Sequence, residues 1–195
     1  MVRTASLTRE TRETKIDIEI NIDGTGKSRV STGIGFFDHM LTLFTVHGFF
    51  DLTLTVQGDL EVDYHHTVED TGLVLGQAIS KALGDRHGIS RYGAGEVPMD
   101  EAFSRVNVDL SNRPYLVYRL PETIRSVGPF DAYLAKEFFR AFSVQAGLNL
   151  HISCDYGENE HHIIESIFKA LGRAMNAACR LDERVDGTLS SKGTL

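Results

Sequence analysis

Two copies of one motif limit what this chain can become. His65-His66-Thr67-Val68-Glu69 and His161-His162-Ile163-Ile164-Glu165 both read His-His-x-x-Glu, and they stand half a chain apart in a sequence of 195 residues. Each copy follows a strand-like stretch and opens an apolar pattern of helical period, which puts it at a strand-to-helix junction. Residues four apart share a helix face, so His65 can meet Glu69 and His161 can meet Glu165. The adjacent His66 and His162 point about 100° away and suit a different ion. Two imidazoles and a carboxylate per half form a borderline donor set, fit for Mn, Fe, Zn or Ni rather than Ca or Mg. One such pair is more often a polar cap than a ligand set. Two copies at matched places are hard to obtain from capping alone.

The rest of the chain repeats with the motif. Residues 15–22 alternate with isoleucines on one face, and Asp23-Gly24 supplies a turn. Residues 28–31 read as the returning strand, and residues 36–47 as a helix stopped by Gly48. Alternation returns at 51–56 and 59–62, and a helix follows over 66–83. The second half answers with a strand at 105–110, its partner at 115–118, a helix at 133–145, a strand at 148–153 and a long helix at 161–179. This order predicts an internal duplication, with halves at 1–90 and 91–195 and a glycine-rich hinge around 87–97. Strands ahead of helices within each half argue for an α+β fold, helices stacked on mostly antiparallel sheets.

Composition removes several functions. The net charge is −7 with no run of Lys and Arg, so no nucleic acid is expected as partner. No apolar run is long enough to span a bilayer and none resembles a signal peptide, so no membrane partner is expected. Cys154 and Cys179 lack CxxC spacing and read as small buried residues in a reducing compartment, the cytosol by default.

Longer stretches carry a resemblance. Val62-Asp63-Tyr64-His65-His66-Thr67-Val68-Glu69-Asp70-Thr71-Gly72 and Gly157-Glu158-Asn159-Glu160-His161-His162-Ile163-Ile164-Glu165-Ser166-Ile167-Phe168-Lys169 resemble the two signatures of imidazoleglycerol-phosphate dehydratases. Phe36-Phe37-Asp38-His39-Met40-Leu41, Pro98-Met99-Asp100-Glu101-Ala102 and the terminal Ser190-Ser191-Lys192-Gly193 match as well, so the likeness covers essentially the whole chain. It implies two duplicated half-domains, each a four-stranded sheet backed by two helices. It implies two Mn²⁺ ions per active site, held by His39, His65, His66 and Glu69 of the first half and Glu137, His161, His162 and Glu165 of the second. It also implies a homo-oligomeric cubic shell of about two dozen copies with active sites at subunit interfaces.

The small-molecule substrate implied is a phosphorylated imidazole. Arg91, Arg113, Ser190, Ser191 and Lys192 resemble the family's phosphate contacts, and guanidinium forks suit phosphate oxygens. His39, His47, His65, His66 and Glu69 fall in substrate-contacting stretches, and Glu13 resembles the candidate acid/base. The chemistry implied begins with imidazolate bound to the metals, expels the C3 hydroxyl through a diazafulvene-like species, and loses the C2 proton. The enol then becomes imidazole acetol phosphate, a step of histidine biosynthesis. Some relatives carry histidine where this chain has Glu137, within Lys136-Glu137-Phe138-Phe139, so Glu137 is either a ligand or a helix-surface partner of Arg140 or Lys136. His151 reads as a half-buried strand histidine and His87 as a loop residue. A dinuclear metallohydrolase and a metal-storage shell compete, but neither accounts for Arg91, Arg113 and the Ser-Ser-Lys tail together. The strands disfavour a four-helix carboxylate protein.

Overall fold

The computed structural model describes residues 2–121 and 124–194. The first half contains β1 (Thr4–Glu10), β2 (Thr14–Asn21), β3 (Ser28–Ser31), α1 (Gly35–Gly48), β4 (Asp51–Gly58) and α2 (His65–Leu83). The second contains β5 (Tyr92–Met99), β6 (Ala102–Asp109), β7 (Tyr115–Arg119), a short hairpin β8 (Ser126–Val127) and β9 (Phe130–Asp131), α3 (Tyr133–Ala146), β10 (Asn149–Tyr156) and α4 (Glu160–Cys179). The sheets run β1-β2-β4-β3 and β5-β6-β10-β7. In each, two pairings are antiparallel and the last is parallel. The expected α+β class, with four-stranded mostly antiparallel sheets and two helices apiece, is therefore what the chain forms.

Strand alternation turns one sheet face inward. Ile16, Ile18 and Ile20 of β2 and Leu52, Leu54 and Val56 of β4 are buried, while their neighbours face solvent. Helix α2 covers the first sheet and α4 the second, and the layers meet where α1 packs on α4 and α2 on α3. A row of Phe37, Phe138, Phe142 and Phe168 fills the seam, with Phe138 and Phe168 stacked at 5.4 Å.

Several local expectations change. Ser28–Ser31 does not return along β2, and Tyr115–Arg119 does not pair with β6. Each instead runs parallel to the strand that follows its half's first helix. Residues 59–62 form a turn despite their alternation, and β1 adds an edge strand where the sequence shows no apolar stretch. Of the glycine-rich segment, residues 87–91 lie in the connection between α2 and β5, but from Tyr92 on it is edge strand β5 rather than a hinge: a Cβ at Gly93 or Gly95 would run into the Ala174 or Ala170 carbonyl of α4. Helix α1 includes Gly48, and Phe49 takes the left-handed position after it (φ 55°).

Glycine also sets the helix seam. A Cβ at Gly172 would lie 2.5 Å from the Phe44 carbonyl oxygen and 2.9 Å from the Gly48 nitrogen. Alanine at an unconstrained helix position gains about 1 kcal/mol over glycine, whereas overpacking costs about 1–3 kcal/mol. Gly172→Ala should therefore lower stability in urea unfolding. A gain of the full helix propensity would mean that the helices are not held this close.

Candidate active site

Both histidine pairs lie in the first turn of a helix. The His65 N–H donates to Asp63 Oδ1 at 2.7 Å in the turn before α2, and the His161 N–H donates at 2.9 Å to Oδ1 of Asn159, the residue that caps α4. The two imidazoles of a pair then diverge, with ring planes at 89° in the first and 75° in the second.

Helix packing gathers His39, His161 and Glu165 from both halves. His39 Nε2 lies 3.3 Å and His161 Nε2 3.0 Å from Glu165 Oε2, while Lys169 Nζ reaches Glu165 Oε1 at 2.6 Å. The rings are open to solvent and the carboxylate beneath them is buried. Burial alone would raise the Glu165 carboxyl pKa. Lys169 first, then His39 and His161, outweigh it and hold the carboxyl below its ordinary range.

The second cluster is His65, Glu69 and Glu137. Glu137 stands fifth in α3 as His39 stands fifth in α1, so the two clusters are built alike, each with one member from the opposite half. His65 Nε2 is 3.4 Å from Glu69 Oε2. Arg140 donates to Glu69 Oε1 at 2.8 Å and, through Nε, to Glu137 Oε2 at 2.9 Å. Glu137 is thus both the partner of Arg140 and a member of the cluster, and at 7% exposure it is not a surface residue. Burial opposes its ionisation, but Arg140, Tyr133 and His65 keep its carboxyl pKa low.

Each trio has its ligand atoms within 4.8 Å of one another. Bonds of about 2.0–2.2 Å to nitrogen and oxygen put neighbouring donors roughly 3 Å apart, close to the 3.3 and 3.0 Å from Glu165 to His39 and His161 and the 3.4 Å between His65 and Glu69. The residues fit a transition-metal ion.

His66 and His162 join neither trio. His66 Nδ1 meets Asp59 Oδ2 at 2.9 Å, with Glu13 Oε1 3.7 Å from its Nε2. His162 Nδ1 meets Glu101 Oε2 at 2.7 Å. These carboxylates raise both imidazole pKa values, and His162 together with the Asn159 and Glu158 N–H groups holds Glu101 at about 2. His47, two turns beyond His39, lies outside both trios, and burial together with Lys169 and Arg173 lowers its pKa. His151 is exposed rather than half-buried, because its place on β10 faces solvent; His87 is an exposed loop residue beside Asp85.

A cationic corner forms elsewhere. Arg91 is 8% exposed, donates from Nε to Asp109 Oδ1 at 2.7 Å, and reaches the tail through the Leu189 carbonyl at 2.6 Å. Arg113 lies 3.9 Å from the same Asp109, with its guanidinium largely exposed. Ser190, Ser191 and Lys192 follow directly, with the Lys192 N–H donating to Ser190 Oγ.

A family model described as imidazoleglycerol-phosphate dehydratase matches residues 32–175. The imidazoleglycerol-phosphate dehydratase of Desulfosudis oleivorans is 55% identical over all of both chains. That of Syntrophobacter fumaroxidans is 58% identical, covering 99% of this chain and 98% of the relative. The chain belongs to the imidazoleglycerol-phosphate dehydratase family. Solved structures agree. The dehydratase of Staphylococcus aureus superposes with a TM-score of 0.83 at 41% identity, covering 92% of this chain and 99% of that one. The Pyrococcus furiosus enzyme, in complex with (S)-C348, gives 0.82 at 37%, covering 97% and 100%. Among the described residues no helix is long and apolar enough to cross a membrane.

Sequence reasoning gave no role to Asp59, Glu101, Asp109 or Lys169, and saw Arg140 only as a rival for Glu137. Lys169 had a legible signal, standing four residues after Glu165 on one helix face. Because Glu165 is depressed in the folded state, its contribution is present above the ordinary value of 4.5 and fades as pH falls through the folded pKa. Lys169→Met should cost the metal-free protein about 1–3 kcal/mol near neutral pH, and the deficit should shrink in urea titrations at a pH acid enough to protonate Glu165 in the folded protein. An equal deficit at both would assign Lys169 to packing instead.

Proposed function

We propose that this chain dehydrates imidazoleglycerol phosphate to imidazole acetol phosphate on a pair of Mn²⁺ ions, in a site completed by a second copy of the chain. The observation that carries the reading is the twin trios, His39-His161-Glu165 and His65-Glu69-Glu137, beside two further histidines that join neither trio and have Nδ1 held by other carboxylates. Family membership selects dehydration over phosphoester hydrolysis or metal storage.

The ions would supply Lewis acidity at the imidazole and a template for the substrate. What remains is done by side chains. Glu13 is exposed at the end of the β1–β2 turn, 3.7 Å from His66 Nε2, and is the group to carry the C2 proton. Arg113 and the Ser190–Lys192 segment hold the phosphate. Arg91 shapes that corner, since two of its three nitrogens bond Asp109 and the third the tail.

Distance supports sharing between copies. The Arg91 N–H bonds the Ala178 carbonyl near the end of α4, whereas His162 lies in its first turn. At 1.5 Å per residue the two places are about 24 Å apart. A three-carbon chain between an imidazole and a phosphate cannot reach across that, so one copy's histidines would act with another copy's cationic corner. A closed cubic shell of about two dozen copies satisfies this arrangement.

Chelation should abolish turnover of imidazoleglycerol phosphate and Mn²⁺ should restore it; full activity in metal-stripped protein would refute the metal assignment. Glu13→Gln should bind metal and substrate yet lose about 10²–10⁴-fold in turnover, and near-normal turnover would return Glu13 to the role of a solvated residue. Arg113→Ala should weaken substrate binding roughly ten- to a hundredfold, from a lost charged contact of about 1.5–3 kcal/mol. Arg91→Ala is the poorer test, because it also frees Asp109 and the tail.

A further inference from the structure

We propose that Asp59 and Glu101 are positioning residues that hold His66 and His162 as outward-facing ligands, and that this division of labour leaves Glu13 free for chemistry. The inference rests on the dehydratase reading of the site and deepens it.

The two histidines of each pair use different nitrogens. His65 and His161 direct Nε2 at their own glutamates one turn on. His66 and His162 have Nδ1 occupied by a carboxylate, at 2.9 and 2.7 Å. A proton shared on that side leaves the lone pair of the neutral ring on Nε2. Both Nε2 atoms lie beyond hydrogen-bond distance of their nearest acids, 3.7 Å from Glu13 and 3.8 Å from Asp100. A carboxylate behind a histidine is the arrangement that fixes its tautomer and ring direction and makes it a better donor.

Both residues are themselves anchored, Glu101 through its carboxylate and Asp59 through its backbone. Glu101 Oε1 accepts the N–H groups of Glu158 at 3.2 Å and Asn159 at 2.8 Å, which ties it to the turn that starts α4. The Asp59 N–H donates to the Glu13 carbonyl at 3.1 Å, and Asp59 Oδ1 is buried without a hydrogen-bond partner among the described residues. Asp59 therefore has one oxygen committed to His66 and no competing donor.

Comparison of the halves says why different residues do this work. Glu13 directly precedes β2 and Glu101 directly precedes β6, the second strands of sheets with the same order. They are counterparts, yet only Glu101 holds its histidine. In the first half residues 59–64 connect β4 to α2, and the first of them, Asp59, takes the place behind His66. In the second half residues 157–159 alone connect β10 to α4, and Glu158 offers only its N–H, to Glu101. The longer connection releases the Glu13 carboxylate from structural duty.

Mn²⁺ affinity of the whole protein, measured by titration with the metal alone, tests this. Asp59→Ala and Glu101→Ala should each weaken binding about 10–100-fold, and Asp59→Asn and Glu101→Gln, which keep an acceptor oxygen, should fall between. The melting point of metal-free protein reports folding, and the Asn and Gln variants keep the test open if either alanine variant does not fold. Glu13→Gln should bind Mn²⁺ as the parent does. Parental affinity in the four Asp59 and Glu101 variants, or equal weakening by Glu13→Gln, would overturn the proposal. A parent that binds Mn²⁺ with this ranking but does not turn over imidazoleglycerol phosphate would sink the functional reading and leave the positioning roles standing.

Discussion

Both trios of the candidate site depend on the docking of helices across the halves, α1 on α4 and α2 on α3. Neither trio exists within one half. His39 comes to Glu165, and Glu137 to His65 and Glu69, only because the two helical layers meet. The close approach at Gly172 and the phenylalanine row give that seam its depth. The depth has an electrostatic cost, since Glu165 and Glu137 are pressed into the seam at 6% and 7% exposure. A carboxylate left unpaired there would be protonated or would destabilise the seam by several kcal/mol. Lys169 and Arg140 offset that penalty, each one helix turn from the acid it serves.

The repeated frame is not filled with the same charges. The trio on α4 has two imidazoles and one carboxylate, with Lys169 behind it. The trio on α2 has one imidazole and two carboxylates, with Arg140 spanning both. Counting formal charges with neutral imidazoles, the first set with its cation sums to zero and the second to minus one. The second set is therefore the harder donor group, better matched to a hard divalent ion. Glutamate replaces imidazole at fifth place in α3, and the arginine three residues later keeps the two acids from repelling each other. A residue first seen as a rival explanation for Glu137 is better understood as the reason that Glu137 can stand there.

What could be read from the chain followed local periodicity. The four helices and the inner strands β2, β4, β6 and β10 are buried on one face, so their apolar residues recur at the period of the element. Edge strands β1 and β5 carry little of that signal: β1 buries only Ala5 fully, and β5 uses glycines to let α4 approach. The parallel pairing of β3 and β7 is set by the helix that intervenes and has no local signature. The same boundary runs through the site. His65 with Glu69 and His161 with Glu165 are legible because four residues make a turn. His39 and Glu137 required the resemblance and the repeat, and their crossing to the opposite half is a tertiary fact. Asp59 was mistaken for the start of a strand because 59–62 alternate, yet that turn is what brings its carboxylate to His66.

The proposed sharing of the site also constrains motion within one copy. A flexible chain could in principle fold its phosphate corner over its own histidines, which would remove the need for a neighbour. Here α4 is itself the spacer between them. It packs along β5 and β6, and Arg91 is fastened at its far end both by the Ala178 carbonyl and by Asp109 of β6. Bringing Arg91 to His162 would mean breaking α4 out of the core that Ile164, Ile167, Phe168, Leu171 and Met175 bury. Each such side chain is worth about 1.5–3 kcal/mol of burial, so five of them are comparable with the whole stability margin of a domain, about 5–15 kcal/mol. Contact with a second copy needs no such rupture. The rigidity that makes each trio a well-formed half-site is thus what makes a single chain an incomplete enzyme under the proposed reading.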